Sequence, residues 1–115
     1  MQITFTTGNK TCSAELNDSP AAQDFAARLP LTLILKDYAG IEKIAYLDKP
    51  LDTRDAPAGH KASAGDITYY APWGNLALFK KSFGYADGLV NLGRFTGDYA
   101  GLFQSSQTEV VITLV

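Results

Sequence analysis

The sequence has little of what metal-binding, disulfide-bonded and membrane-spanning proteins depend on. It contains one cysteine, Cys12, and one histidine, His60. A single cysteine excludes an internal disulfide and is typical of a reducing compartment, and one histidine without a cysteine pair does not make an ordinary zinc site. The longest apolar runs are far shorter than the roughly 20 residues that cross a bilayer, and nothing at the N-terminus resembles a signal peptide. We therefore expect a cytoplasmic protein with no membrane partner.

Charge and short motifs are equally sparse. The 10 basic and 12 acidic residues are mixed along the chain and give a net charge of −2. Without a basic stripe, nucleic-acid binding lacks its electrostatic footprint. The glycines form no phosphate-binding pattern, and no serine lies in a Gly-x-Ser-x-Gly nucleophile elbow. The sequence therefore predicts no nucleic-acid partner, no metal and no cofactor.

Apolar residues and β-patterned segments are abundant. Apolar residues make up 46% of the 115-residue chain, which is enough for a packed core in a single domain over residues 1–115. Short runs with a period of two, rich in β-branched and aromatic residues, recur between turn residues. They predict a hairpin over residues 1–16 and single strands over 31–36, 43–47, 67–71, 76–80, 89–95 and 109–115. About eight short strands favour a closed barrel, because closure removes exposed sheet edges.

One main helix is predicted over residues 17–29. Asp18 or Ser19 can cap it, Pro20 suits its first position, and Phe25 lies on an apolar face at helical spacing. Residues 97–103 are predicted to form a short helical turn. Residues 48–66 and 81–88 are interpreted as loops with little regular structure, and the first is long enough to be of functional interest. The fold class is therefore mainly β, a closed barrel with one main helix and a second short helical turn.

The segment from 65 to 95 carries motifs that resemble a known family. The motif YYAPWG at residues 69–74 is followed by an apolar strand and then by LVNLGR at residues 89–94. These motifs and the order of elements resemble the small bacterial cyclophilin-like proteins, and the resemblance covers nearly the whole chain. It implies a shortened cyclophilin-like closed β-barrel, without a settled function.

The resemblance also implies a groove related to that of the cyclophilin prolyl isomerases, with differences in its polar part. Cyclophilins place an arginine guanidinium near the prolyl nitrogen, a role that lysine cannot copy. The Phe-His-Arg run that supplies it is matched here by residues 41–43, which contain no arginine. Other groove positions are matched by Leu76 and Leu78, and Tyr85 begins the match to a Trp-Leu-Asp-Gly motif. The resemblance thus implies a ligand-binding groove that includes Tyr70, Leu76, Leu78 and Tyr85. Trp73, at the tip of the turn, either lines this groove or caps the barrel end.

Arg54 is the candidate for a replacement catalytic guanidinium, because it lies in the long loop. The alternative interpretation is that Arg54 is a surface arginine paired with Asp52 or Asp55. Arg94 either points toward a groove or belongs to an ordinary sheet surface. His60 is interpreted as an exposed loop residue.

Three functions remain open from the sequence. The first is a binding module that takes a peptide or small ligand in a degenerate isomerase groove, since aromatic residues are present without an acid–base constellation. The second is a weak or atypical peptidyl-prolyl isomerase that uses Arg54 or Arg94. The third is a structural protein whose aromatic patch is an oligomer interface. None of the three requires a cofactor.

Overall fold

Ten strands, all in antiparallel pairs, make up about half of the molecule. The computed structural model describes residues 1–115. The strands are β1 (Gln2–Thr7), β2 (Lys10–Leu16), β3 (Leu31–Tyr38), β4 (Glu42–Tyr46), β5 (Gly59–Lys61), β6 (Asp66–Tyr70), β7 (Asn75–Phe79), β8 (Tyr85–Asp87), β9 (Leu89–Phe95) and β10 (Gln107–Leu114). Eight of them close into a barrel in the order β1, β10, β3, β4, β7, β6, β9, β2, while β5 and β8 pair only with each other.

The eight barrel strands are those that the sequence predicted, so the mainly β fold class and the closed barrel are confirmed. Their ends differ from the predicted ones by about two residues at most. The first hairpin pairs Thr7 with Lys10 across Gly8 and Asn9. Gly8 has a φ of +57°, a conformation that this tight turn requires and that glycine adopts without steric cost.

One helix, α1 (Pro20–Ala27), and a short 3-10 helix (Ala100–Phe103) complete the fold. Ser19 caps α1, because its Oγ accepts a hydrogen bond from the backbone N–H of Ala22 at 3.2 Å. The apolar face of α1, with Phe25 at its centre, is buried in the barrel core. No helix of the structure has the length and apolar character needed to cross a membrane.

The interpretation of residues 48–66 and 81–88 as loops with little regular structure missed one short strand in each. Strand β5 lies in the first segment and β8 in the second, and the two form a ribbon outside the barrel (hereafter the ribbon). Each strand has three residues, too few to show a period, and its hydrogen-bonding partner lies about 25 residues away. In this ribbon a Cβ on Gly59 would collide with the carbonyl oxygen of Ala86, so glycine allows the close pairing.

The molecule has two apolar clusters, one inside the barrel and one outside it. The inner cluster contains 22 buried residues. The outer cluster, Ala62, Ala77, Phe79 and Leu89, lies between the barrel wall and the ribbon. Strand β7 serves both, because Leu76 and Leu78 belong to the inner cluster while Ala77 and Phe79 belong to the outer one. The ribbon thus covers part of the outer barrel wall, and the apolar side chains between the two are buried.

A β-bulge interrupts the pairing of β6 with β9. Ile67 pairs with Gly93 and Thr68 with Asn91, so Leu92 is the extra residue on β9. The Asn91 side chain stabilises the bulge, because its Oδ1 accepts the backbone N–H of Gly93 at 2.8 Å. On its other side Gly93 pairs with Leu16 of β2. The bulge therefore lies where three strands meet.

One buried charge lies at an end of the barrel. Lys43 has a side chain with 0% exposure, and its Nζ lies 2.8 Å from Oδ1 of the half-exposed Asp37. The same ammonium donates a hydrogen bond to the backbone carbonyl of Ser105, which precedes β10. A buried ammonium is stable only with such partners. Lys43 therefore ties β3, β4 and the segment before β10 together.

Candidate functional site

A cavity of about 250 Å³ opens on the outer barrel wall (hereafter the outer cavity). Phe79 of β7 and Leu89 of β9 are both buried in the outer cluster and line it from the wall side. Ala86 of the ribbon and Phe83, just before the ribbon, line it as well. Nine of its eleven lining residues are apolar, so the cavity favours an apolar occupant.

Three aromatic rings form a row along this cavity. The Trp73 indole lies 5.6 Å from the Tyr38 ring and 5.4 Å from the Tyr70 ring, both in edge-to-face geometry. Trp73 is held in the β6–β7 turn, where its backbone N–H donates to the carbonyl of Tyr70 at 3.2 Å. Its side chain is 50% exposed, and it is the only tryptophan of the chain. Tryptophan fluorescence therefore comes from a single residue, and that residue lines the outer cavity.

Asn75 lines the outer cavity and carries a hydrogen-bond acceptor without a partner. The residue lines the cavity and is only 1% exposed. Its Nδ2 donates to the carbonyl of Leu76 at 2.9 Å, whereas its Oδ1 has no partner. It is the one buried side-chain polar atom in the structure without a hydrogen bond. An unmade buried hydrogen bond costs on the order of 1–3 kcal/mol. A molecule that donated a hydrogen bond to this oxygen would recover part of that free energy.

Glu42 contributes the only charge among the lining residues. It lies on β4 directly opposite Tyr38 of β3 and Phe79 of β7. It takes part in none of the five ion pairs of the molecule. Burial raises the pKa of the Glu42 carboxyl above its ordinary value, because desolvation disfavours the charged form.

Glu42→Gln is expected to stabilise the free protein at pH 7 and to leave its stability nearly unchanged near pH 4. A carboxyl whose pKa is raised by folding favours the folded state at pH values below its unfolded pKa, and this contribution is lost as the pH rises through the folded pKa. Glutamine carries no charge at either pH. Urea denaturation of both proteins at the two pH values measures the difference, and an equal effect at both would contradict the assigned cause.

The structure brings two of the sequence-predicted ligand residues to the outer cavity and places three elsewhere. Tyr70 and Trp73 line it. Leu76 and Leu78 are 0% exposed and point into the barrel. Tyr85 lies on the ribbon with an exposed side chain and does not line the cavity. Leu76 and Leu78, which were matched to the groove, therefore face the barrel interior. Their neighbours Ala77 and Phe79 are the residues of β7 that face outward.

Arg54 lies at a different cavity, of about 190 Å³, next to the start of α1. Its side chain is 75% exposed, and its Nε lies 2.9 Å from Oδ2 of Asp52, as in the surface alternative. His60 also borders this second cavity, but it belongs to the ribbon and its Nε2 lies 2.9 Å from Oδ2 of Asp66. Arg94 is exposed on β9. Neither arginine lines the outer cavity, and no group of three His, Cys, Asp or Glu side chains could hold a metal ion.

Sequence reasoning missed Asn75, Glu42, Phe79 and Tyr38 as lining residues. Alternation within β6 did separate Tyr69, which is buried in the inner cluster, from Tyr70, which faces the outer cavity. Tyr70 pairs with Asn75 across the tight turn between β6 and β7. The register of this hairpin therefore places Asn75 on the same outward face as Tyr70, which alternation within β7 alone does not show. The all-apolar run after Asn75 hides it, because both faces of β7 are buried.

Comparison with known proteins gives a family and a fold. A family model described as the cyclophilin-like family matches residues 5–115. The structure is similar to the solution structure of a hypothetical protein from Archaeoglobus fulgidus, with a TM-score of 0.75 and 18% sequence identity over 100% of this chain and 95% of that one. No curated protein matches the sequence. The archaeal structure supports the barrel fold and carries no function with it.

Proposed function

The chain belongs to the cyclophilin-like family, and we propose that it is a binding module that takes a small, largely apolar ligand, free or as part of a peptide, in the outer cavity. One observation carries this proposal: a mostly apolar cavity is lined by Asn75, whose Oδ1 is the one buried side-chain polar atom without a partner. Ligand cavities typically combine apolar walls with a few placed polar groups. The exposed half of Trp73 marks the opening.

A weak prolyl isomerase has less support than a binding module. Isomerisation in a cyclophilin-like groove needs a guanidinium beside the apolar surface that holds the proline ring. Arg54 borders the second cavity and pairs with Asp52. The outer cavity has Glu42 as its only charged lining residue, and a carboxylate cannot donate a hydrogen bond to a prolyl nitrogen.

Filling the outer cavity is expected to weaken binding of a simple probe. Ala86→Leu adds apolar atoms to a cavity-lining position, so the affinity for 4-ethylphenol should fall at least about tenfold, or about 1.4 kcal/mol. Trp73 fluorescence, excited where phenols and tyrosine do not absorb, measures the affinity. Ala100→Leu is the matched control, because Ala100 is exposed in the short 3-10 helix. Thermal melting of both variants verifies that they fold.

Two results would contradict the proposal. One is an unchanged affinity in folded Ala86→Leu, which would place the probe elsewhere. The other is the absence of any response to 4-ethylphenol or to a short X-Pro peptide at millimolar concentration. Exchange spectroscopy on the peptide separates the alternatives, since cis–trans exchange crosspeaks would indicate an isomerase and peptide binding without them a peptide module.

A further inference from the structure

We infer that the ligand of the outer cavity is an elongated apolar amine with a hydrogen-bond donor at its far end, the ammonium lying against Glu42 and the donor against Asn75. This inference depends on the proposed function, because it names the ligand class of the same cavity. Three features carry it: the two polar lining groups are both acceptors, they lie at opposite ends of one face, and aromatic rings line the space beside them.

The Asn75 end calls for a donor from the ligand. The orientation of its amide is fixed, because the carbonyl of Leu76 can only accept and therefore requires the NH₂ group of Asn75. Oδ1 is thus the atom left without a partner. Asn75 lines the outer cavity, and a ligand hydroxyl or N–H held against its amide would supply the hydrogen bond that the free protein leaves unmade.

The Glu42 end calls for a cation. No lysine, arginine or histidine lines the outer cavity, and Glu42 has no ion-pair partner. Directly opposite Glu42 in the sheet lies Tyr38, whose ring continues the aromatic row through Trp73. A carboxylate next to aromatic faces attracts an organic ammonium both by charge and by cation–π interaction. An anionic ligand would meet like-charge repulsion at the same place.

The strand register sets the distance between the two ends. In the β4–β7 ladder Glu42 pairs with Phe79, and Asn75 lies four residues further along, opposite Tyr46. At about 3.3 Å per residue the two positions are about 13 Å apart along the strands. The ion pair at one end and the hydrogen bond at the other take up part of this gap, so a molecule with one aromatic ring and a two-carbon arm matches the span. Tyramine has this shape, with an ammonium at one end and a phenol hydroxyl at the other.

Four probes of nearly equal size test the inference by Trp73 fluorescence at pH 7. Tyramine should bind about tenfold more tightly than 4-ethylphenol, which lacks the ammonium, and about threefold to tenfold more tightly than phenethylamine, which lacks the hydroxyl. 4-Hydroxyphenylacetate, which carries a negative charge instead, should bind most weakly. Equal affinities of tyramine, 4-ethylphenol and 4-hydroxyphenylacetate would overturn the inference while leaving the binding function standing. If none of the four binds and the X-Pro peptide does not bind either, the proposed function itself fails.

Two variants assign each preference to its residue. Glu42→Gln should remove the advantage of tyramine over 4-ethylphenol, whereas Glu109→Gln, on an exposed position of β10, should keep it. Asn75→Leu should remove the advantage of tyramine over phenethylamine while leaving 4-ethylphenol no tighter than before. An ammonium preference that survives in folded Glu42→Gln would overturn the assignment of the cation to this end. Binding of 4-ethylphenol to Glu42→Gln and of phenethylamine to Asn75→Leu verifies that the cavity itself is intact in each variant.

Discussion

Gly93→Ala is expected to lower the free energy of unfolding by about 3 kcal/mol or more. A Cβ at this position would collide with the backbone carbonyl oxygen of Glu15 and lie 2.8 Å from the Cα of Leu16. Both neighbours are backbone atoms of β2, so no side-chain rotation relieves the overlap. Gly93 also belongs to the β6–β9 bulge, where the adjacent strand cannot move without breaking its own ladder.

The measurement is urea denaturation of Gly93→Ala beside Gly97→Ala. Gly97 lies two residues after the end of β9, and the nearest atom to a Cβ there, in Ser13, is 3.8 Å away. Gly97→Ala should therefore change the stability by less than about 0.5 kcal/mol. Equal stabilities of the two variants would show that β2 and β9 are packed less closely than the structure describes.

Lys43→Ala is expected to destabilise the protein by about 3 kcal/mol. The substitution removes a side chain of 0% exposure and with it the partner of Asp37 and of the Ser105 carbonyl. It leaves a cavity where the buried alkyl chain was, since Lys43 is fully enclosed. Asp37 is half-exposed and regains water, so the lost packing dominates over the lost ion pair.

Lys43→Met separates packing from charge. Methionine keeps most of the apolar stem and removes only the ammonium, so it should lose about 1 kcal/mol, roughly a third of the loss in the alanine variant. Lys36→Ala, at an exposed position of β3, is the control and should stay within about 0.5 kcal/mol of the parent. Urea denaturation gives all three values, and a methionine variant as unstable as the alanine variant would contradict the dominance of packing.

The barrel could be predicted from the sequence because its strands show the local signals that define strands. Gly8 and Asn9 mark the first turn, Pro20 and Ser19 mark the helix start, and β9 was predicted with its observed ends. The ribbon could not be predicted in this way. Its strands have three residues each, and their pairing depends on a partner far along the chain.

The candidate site was predictable only in part, for a reason that lies in β7. Tyr70 and Trp73 stand out because aromatic residues at a turn are conspicuous, and both line the outer cavity. In β7 the pattern Asn-Leu-Ala-Leu-Phe is buried on both faces, so no alternation shows which side chains face outward. The ribbon covers the outer face of β7 and so causes this burial on both faces. Without knowing of the ribbon, the sequence did not show which residues of β7 face outward. Glu42 was noted only as part of the run 41–43, which matches the Phe-His-Arg run and contains no arginine.

The most direct test of the outer cavity as the ligand site is an intermolecular NOE experiment on the protein with saturating tyramine. The account predicts NOEs from the aromatic protons of the ligand to the Trp73 indole, to the Ala86 methyl group and to the Leu89 methyl groups, all of which line the outer cavity. NOEs confined to Arg54 and His60, which border the second cavity, would contradict it. So would a complete absence of NOEs at a tyramine concentration that saturates the fluorescence change.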